Sequence, residues 1–296
     1  MSGSAAPRPL PRPERGRLVV SCGDGPGIIA AVSRFLADRG ANIVHSDQHS
    51  SDPEGGDFFL RMVFDLPGLA DRLPALREEF TEIECRFGMS ARWAIDDERR
   101  RIAIFVSTED HCLLELLWQI RAGDLHAAVA LVVGNHPELA EIVAPWNVPF
   151  HHVPVTTTTK DRAEARQQAL LEAAGVELIV LARYMQVLSP DFIARWRHQV
   201  INIHHSFLPA FVGARPFAQA SARGVKLIGA TAHYASEVLD GGPIIEQDVI
   251  RVDHRHDVAT LRRMSRAIER SVLARAVGWH LADRVFVTGN KTIVFS

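Results

Sequence analysis

From residue 102 onward the chain alternates near-continuous apolar runs with amphipathic segments, and this rhythm restricts the fold more than any other feature. A strand that is apolar on both faces must be covered on both faces, which a parallel sheet between two helical layers provides. Residues 102–107, 127–134, 150–154, 178–182 and 200–204 read as such strands. Residues 112–121, 137–145, 162–174 and 190–196 carry helical spacing between them. The rhythm breaks toward the end, where 230–234 and 244–252 read as strands and 258–281 as one long helix. The expectation for 102–296 is an α/β domain with a Rossmann-like, mostly parallel sheet.

Residues 17–95 have a different texture. Leu18-Val19-Val20 reads as a strand, and the turn Gly23–Gly27 leads into a helical pattern through Asp38. Strands at 41–49 and 57–65 flank a Gly-rich turn, a helix opens at Pro67-Gly68, and alternating Ile83, Cys85 and Phe87 predict a last strand over 82–95. The order βαββαβ predicts a small ferredoxin-like sandwich. Residues 96–101, all charged, read as a solvated linker. Residues 1–16 are Pro- and Arg-rich with no apolar run, and the reading is a disordered tail and not a signal peptide.

Composition narrows the partners. With 33 basic and 35 acidic residues and a net charge of −2, there is no excess cationic charge for a phosphate backbone, so nucleic acid is not expected. No run approaches the ~20 apolar residues of a membrane span, and Cys22, Cys85 and Cys112 are too scattered for a disulfide framework. A reducing cytoplasm is the expected location. The 14 histidines form no HExxH and have no nearby cysteine pair, so no catalytic metal is expected. The Gly23–Gly27 run is not a dinucleotide fingerprint, and Trp118, Trp146 and Trp196 read as core or interface.

In open α/β sheets chemistry gathers beyond the carboxyl ends of the strands. There lies Asn202-Ile203-His204, whose alternation sends the carboxamide and the imidazole to one face. Such a pair can hold a developing oxyanion and manage a proton. Downstream, Asp240 precedes Gly241-Gly242-Pro243 on a tight turn that can project a carboxylate into a cleft. Taken singly, each has a plain structural reading as a satisfied strand end or a turn cap.

Together these segments resemble a family. Asn202-Ile203-His204, Phe207-Leu208-Pro209, Gly229–Tyr234 and Leu239–Pro243 are similar to the catalytic domain of enzymes that use 10-formyltetrahydrofolate. The formyltetrahydrofolate deformylases resemble the chain most fully, through Asp110–Leu113, Gly134–Pro137, Pro149–His152, Leu181–Gln186 and, upstream, Gly40–Ile43 and Ser46–Ser50 of an ACT domain. The resemblance implies a formyltransferase fold over 102–296, an ACT regulatory and assembly domain over 17–95, and hydrolysis of 10-formyltetrahydrofolate to tetrahydrofolate and formate for purine synthesis. Asn202, His204 and Asp240 would be catalytic. The folate would lie against Arg183, Tyr184, Met185, Gln186, Val187 and Leu188 and against Ala235, Ser236 and Glu237. No cofactor is implied. An amino-acid effector would sit near Asp24, Gly25 and Gly27, and the assembly would be a homotetramer.

Two departures from the family pattern stand out: Ala218 where a His is frequent, and Gly25 where an Arg is frequent. Alternatives are a formyltransferase with an amine acceptor and a silent folate or amino-acid sensor. Glycinamide ribonucleotide formyltransferases have a Gly- and Ser-rich phosphate loop where this chain has Ser107–His111, and Glu109 with Asp110 would repel a phosphate. Methionyl-tRNA formyltransferases carry a basic carboxyl-terminal domain that this weakly acidic chain does not match.

Overall fold

A computed structural model describes residues 14–52, 54–96, 98–210 and 216–296. The chain divides into two compact units, Met1–Glu98 and Arg99–Ser296.

The first unit runs β1 (Glu14–Gly23), α1 (Ile28–Asp38), β2 (Asn42–Ser50), β3 (Asp57–Leu66), α2 (Leu69–Phe87) and β4 (Ser90–Ile95). The strands form one antiparallel sheet ordered β2-β3-β1-β4. Leu18, Val20, Leu60, Met62 and Phe64 on the sheet pack against Val32 and Leu36 of α1 and Leu73, Leu76 and Phe80 of α2. The Phe80 ring meets Phe35 at 5.0 Å and Trp93 at 5.3 Å, both edge-on.

The structure departs from three of the sequence expectations. Strand β1 begins at Glu14, inside the segment assigned to the tail, because Glu14 to Gly16 pair with Phe64 to Leu66 and Arg15 forks onto Asp65. The rest of that tail lies outside the described residues. The strand expected over 82–95 is helix as far as Phe87, closed by Gly88 in a left-handed conformation (φ 58°), and only Ser90–Ile95 is strand. Two of the three arginines of the supposed solvated linker are structural: Arg100 pairs with buried Asp283, and Arg101 Nε donates to the Ala174 carbonyl at 2.6 Å.

The second unit begins β5 (Arg100–Val106), α3 (His111–Ala122), β6 (Ala127–Gly134), α4 (Ala140–Val143), β7 (Phe150–His152), α5 (Lys160–Ala173), β8 (Leu178–Leu181), α6 (Pro190–Arg195) and β9 (Val200–His204). It continues with α7 (Pro216–Arg223), β10 (Leu227–Tyr234), β11 (Ile244–Arg251), α8 (Val258–Leu281) and the hairpin β12 (Val285–Thr288) and β13 (Lys291–Val294). Seven strands form a sheet ordered β11-β10-β9-β8-β5-β6-β7. Strands β5 to β9 are parallel, while β10 runs antiparallel to both β9 and β11.

Both faces of this sheet are covered, as the apolar runs require. Ile102, Ile104 and Val106 face one cluster with Leu113 and Leu116 of α3 and Val272 and Leu273 of α8. Their neighbours Ala103 and Phe105 face the other, with Leu171 of α5 and Phe192 of α6. The helix expected over 137–145 shrinks to α4 and a 3-10 turn, where Pro145 falls. Helix α7 and the terminal hairpin have no counterpart in the sequence reading. The strand order reverses between β5 and β8, which opens a crevice at their carboxyl ends.

Candidate active site

A cleft of about 400 Å³ lies next to that reversal, beyond the carboxyl ends of β8 and β9. Asn202, His204 and Asp240 all line it. Asn202 and His204 come from alternate positions on β9, so both leave the face opposite Ile201 and Ile203, which sit in the core. Asp240 arrives from a tight turn: its own φ is 55°, costing about 1 kcal/mol for a residue with a Cβ. The turn closes because a Cβ on Gly242 would lie 1.9 Å from the Tyr234 carbonyl oxygen. Backbone strain at a carboxylate aimed into a cleft is characteristic of functional positions.

His204, 6% exposed, has its Nδ1 3.1 Å from Asp240 Oδ1, and its Nε2 has no partner among the described residues. The His204 hydrogen bond holds the Asp240 carboxyl below its ordinary range, against the upward push of burial, so Asp240 is ionised at neutral pH. His233, 2% exposed, stands opposite Asn202 in the β9–β10 register, next to a bulge between Ala232 and His233. Its Nδ1 lies 2.9 Å from the Tyr234 carbonyl, which only accepts, so Nδ1 carries the proton. Burial pushes the His233 pKa down and keeps the ring neutral, leaving Nε2 an acceptor. Asn202 Nδ2 therefore donates to it at 3.1 Å. That bond fixes which way round the carboxamide sits and leaves its second N–H for a ligand. Sequence reasoning gave His233 no role; its register with Asn202 was the usable signal.

The segment 183–188 forms one wall of the cleft. It is pinned from behind at several points. Tyr184 packs edge-on against Phe105 at 5.3 Å and accepts from Gln167 at 2.9 Å, and burial pushes its phenol up to about 12. Met185 N donates to Ser107 Oγ at 2.9 Å, and that hydroxyl donates to Asn135 at 2.7 Å. Ser189 bonds Glu164 through both its N–H and its hydroxyl. The Met185 and Val187 side chains stay exposed, an apolar rim suited to a flat ring system. Ala235 and Ser236 line the opposite side, but Glu237 is exposed and is not part of the lining. Ala218 lies exposed on α7.

His111, Cys112 and Glu269 bring donor atoms within 4.8 Å of one another behind this wall. The set does not suit a cation. Glu269 is already bound by His111 Nε2 at 2.9 Å and by Ser265, with the Arg183 guanidinium 3.4 Å away. Burial also pushes the Cys112 thiol well above its ordinary value, so no thiolate is on offer.

In the first unit, Asp24, Gly25 and Gly27 share the turn before α1. Gly27, at φ 91°, is the residue that caps α1, where only glycine is free of strain. The Asp24 carboxylate is engaged by Gly25 N within the turn and by Ser50 Oγ at the end of β2.

Comparison with known proteins adds to this geometry. The formyl transferase family profile matches residues 100–277, and the ACT domain profile matches residues 16–81. A formyltetrahydrofolate deformylase of Mycobacterium tuberculosis is 56% identical over 281 residues, 95% of this chain and 90% of that protein. One of Bacillus subtilis is 52% identical over 283 residues, 96% of this chain and 94% of the relative. The crystal structure of a formyltetrahydrofolate deformylase from Pseudomonas syringae superimposes with a TM-score of 0.92 at 45% identity, covering 96% of this chain and 95% of that one.

Proposed function

The chain belongs to the formyltetrahydrofolate deformylase family, and on that premise we propose that Asn202, His204 and Asp240 are the groups with which it hydrolyses 10-formyltetrahydrofolate to tetrahydrofolate and formate. The observation that carries the assignment is the His204–Asp240 contact at 3.1 Å, in the same cleft as a carboxamide oriented by His233.

The second N–H of Asn202 donates to the formyl oxygen, where negative charge grows as water adds to the carbon. His204 Nε2 takes the proton of that water, and Asp240 stabilises the imidazolium through Nδ1. The low pKa of Asp240 favours this route over direct deprotonation by the carboxylate. Once protonated, His204 lies beside the new oxyanion and the folate nitrogen. Returning its proton to that nitrogen breaks the carbon–nitrogen bond and releases formate. The chemistry consumes only substrate and water and calls for no cofactor. The folate ring stacks along the wall 183–188 and is recognised through its backbone groups, with Ala235 and Ser236 opposite.

Water is the acceptor in this scheme because the loop after β5 offers no phosphate cradle: Glu109 stands there, tied to Arg266 at 2.9 Å. Purified protein given 10-formyltetrahydrofolate, without amine or nucleotide, is expected to yield formate and tetrahydrofolate in equal amounts. Turnover that waits for glycinamide ribonucleotide would make it a transferase.

The first unit serves assembly and control. Its edge strands β2 and β4 present unpaired backbone on which subunits can join, toward a homotetramer. The exposed backbone of Gly25 and Gly27 is the place for an amino-acid effector. No described helix is long and apolar enough to cross a membrane, and a cytoplasmic enzyme feeding formate to purine synthesis is the setting this chemistry suits.

A further inference from the structure

Behind the folate wall is a buried charge cluster that the mechanism above does not use. Glu269, on α8, is 2% exposed, yet its carboxyl is held down to about 2: burial would raise it, but the His111 hydrogen bond, the Arg183 charge and the Ser265 hydroxyl outweigh burial. Arg183 is its counter-ion, with a side chain 12% exposed and Nε 3.4 Å from Glu269 Oε2. Nε and Nη1 of that guanidinium make no hydrogen bond among the described residues. Arg183 also carries a backbone φ of 64°, at the corner where the chain leaves β8 and turns into the wall 184–188. A non-glycine backbone in that region persists only where the surrounding structure over-determines it.

Arg183 also lines the cleft, together with His204, His205, His233 and Asp240. His205, whose ring stacks on His204 at 5.2 Å, is pushed down to about 4 by burial, by Arg183 and by His204, with Glu269 and Asp240 opposing. Facing Glu269 from the other elements are His111 and Cys112 of α3, with Glu109 3.7 Å from His111 Nδ1 and itself paired with Arg266. Glu115 and Arg270 lie further out, near enough to act on the Cys112 thiol.

We propose that Glu269 is a positioning residue of the reaction, acting through Arg183: the pair pins the corner that launches the folate wall, and the carboxylate neutralises a guanidinium that would otherwise act unopposed on the His204–Asp240 couple. The inference rests on the deformylase reading. A structural tie would set only the first of these effects, whereas the second has a sign.

The test is the pH profile of kcat/KM for formate release by the full chain. Glu269→Gln keeps the shape and removes a negative charge, so protonating the His204–Asp240 couple becomes harder and the acidic limb moves to lower pH by about 0.5 unit. Arg183→Gln removes the positive charge and moves the same limb to higher pH by a similar amount. KM is expected to rise in both as the wall loosens. Limbs that move together, or not at all, in folded variants overturn the proposal and leave the cluster a structural tie. Should Glu269→Gln fail to fold, Arg183→Gln alone decides by the sign of its shift, because it leaves Glu269 its His111 and Ser265 bonds. A wild-type protein that releases no formate overturns the deformylase reading and this inference together; an active wild type with unmoved limbs overturns only the inference.

Discussion

The two units bury different kinds of side chain. In the first, the described core is an apolar set closed by Phe35, Phe80 and Trp93, and the buried polar residues are two arginines, Arg17 and Arg61, both on strands. The second buries His111, His204, His233, Glu164, Glu269, Gln167 and Thr231, nearly all of them bonded to one another or to loops around one cleft. Burying such groups costs stability unless each finds a partner. The second unit carries that cost where it aims an amide, an imidazole and a carboxylate. The first is organised for packing, and its exposed sheet edges are its available surfaces.

Substitutions can break this contrast in order of expected effect. Asp240→Asn removes the charge that steadies His204 and is expected to lower kcat by about 10²–10⁴-fold with the fold intact. Near-normal turnover in a folded variant would take Asp240 out of the mechanism. Asn202→Ala removes the amide proposed to donate to the formyl oxygen, for an expected loss of roughly 10²–10³-fold in kcat. If only KM changes, Asn202 binds substrate without stabilising the transition state. Phe80→Ala, in the first unit, should cost about 3–5 kcal/mol of stability against urea. In conditions where that variant stays folded, its kcat is expected to be unchanged. A fall in kcat there would mean that packing in the first unit reaches the chemistry.

Much of the architecture was legible because burial on two faces leaves a periodic mark. Ile102, Ile104 and Val106 alternate with Ala103 and Phe105 between two cores, and no other layering accommodates that run. Alternation misled at 82–95. Ile83, Cys85 and Phe87 look like a strand face, yet Ile83 and Phe87 continue the helical stripe of Leu73, Leu76 and Phe80, while Cys85 is exposed. The terminal hairpin β12–β13 was missed because strands of four residues give too little pattern.

The site divides in the same way. Asn202 and His204 lie on one strand, so their shared direction follows from spacing, and Asp240 is marked by the glycines after it. Glu269 carries no such mark, since a charged residue on a long helix reads as part of a solvated face. Only the packing of α8 against α3 and the corner at Arg183 buries it. Glu237, named through the family resemblance, is exposed and does not join Ala235 and Ser236 in the cleft lining.

The central claim is that water, activated in this cleft, attacks the formyl carbon. Formate released by the wild-type protein from unlabelled 10-formyltetrahydrofolate, in isotopically labelled water with no amine present, tests it most directly. Each formate should carry one labelled oxygen from the solvent and one original formyl oxygen. Release of unlabelled formate, or no turnover until an amine is supplied to take the formyl group, would contradict it.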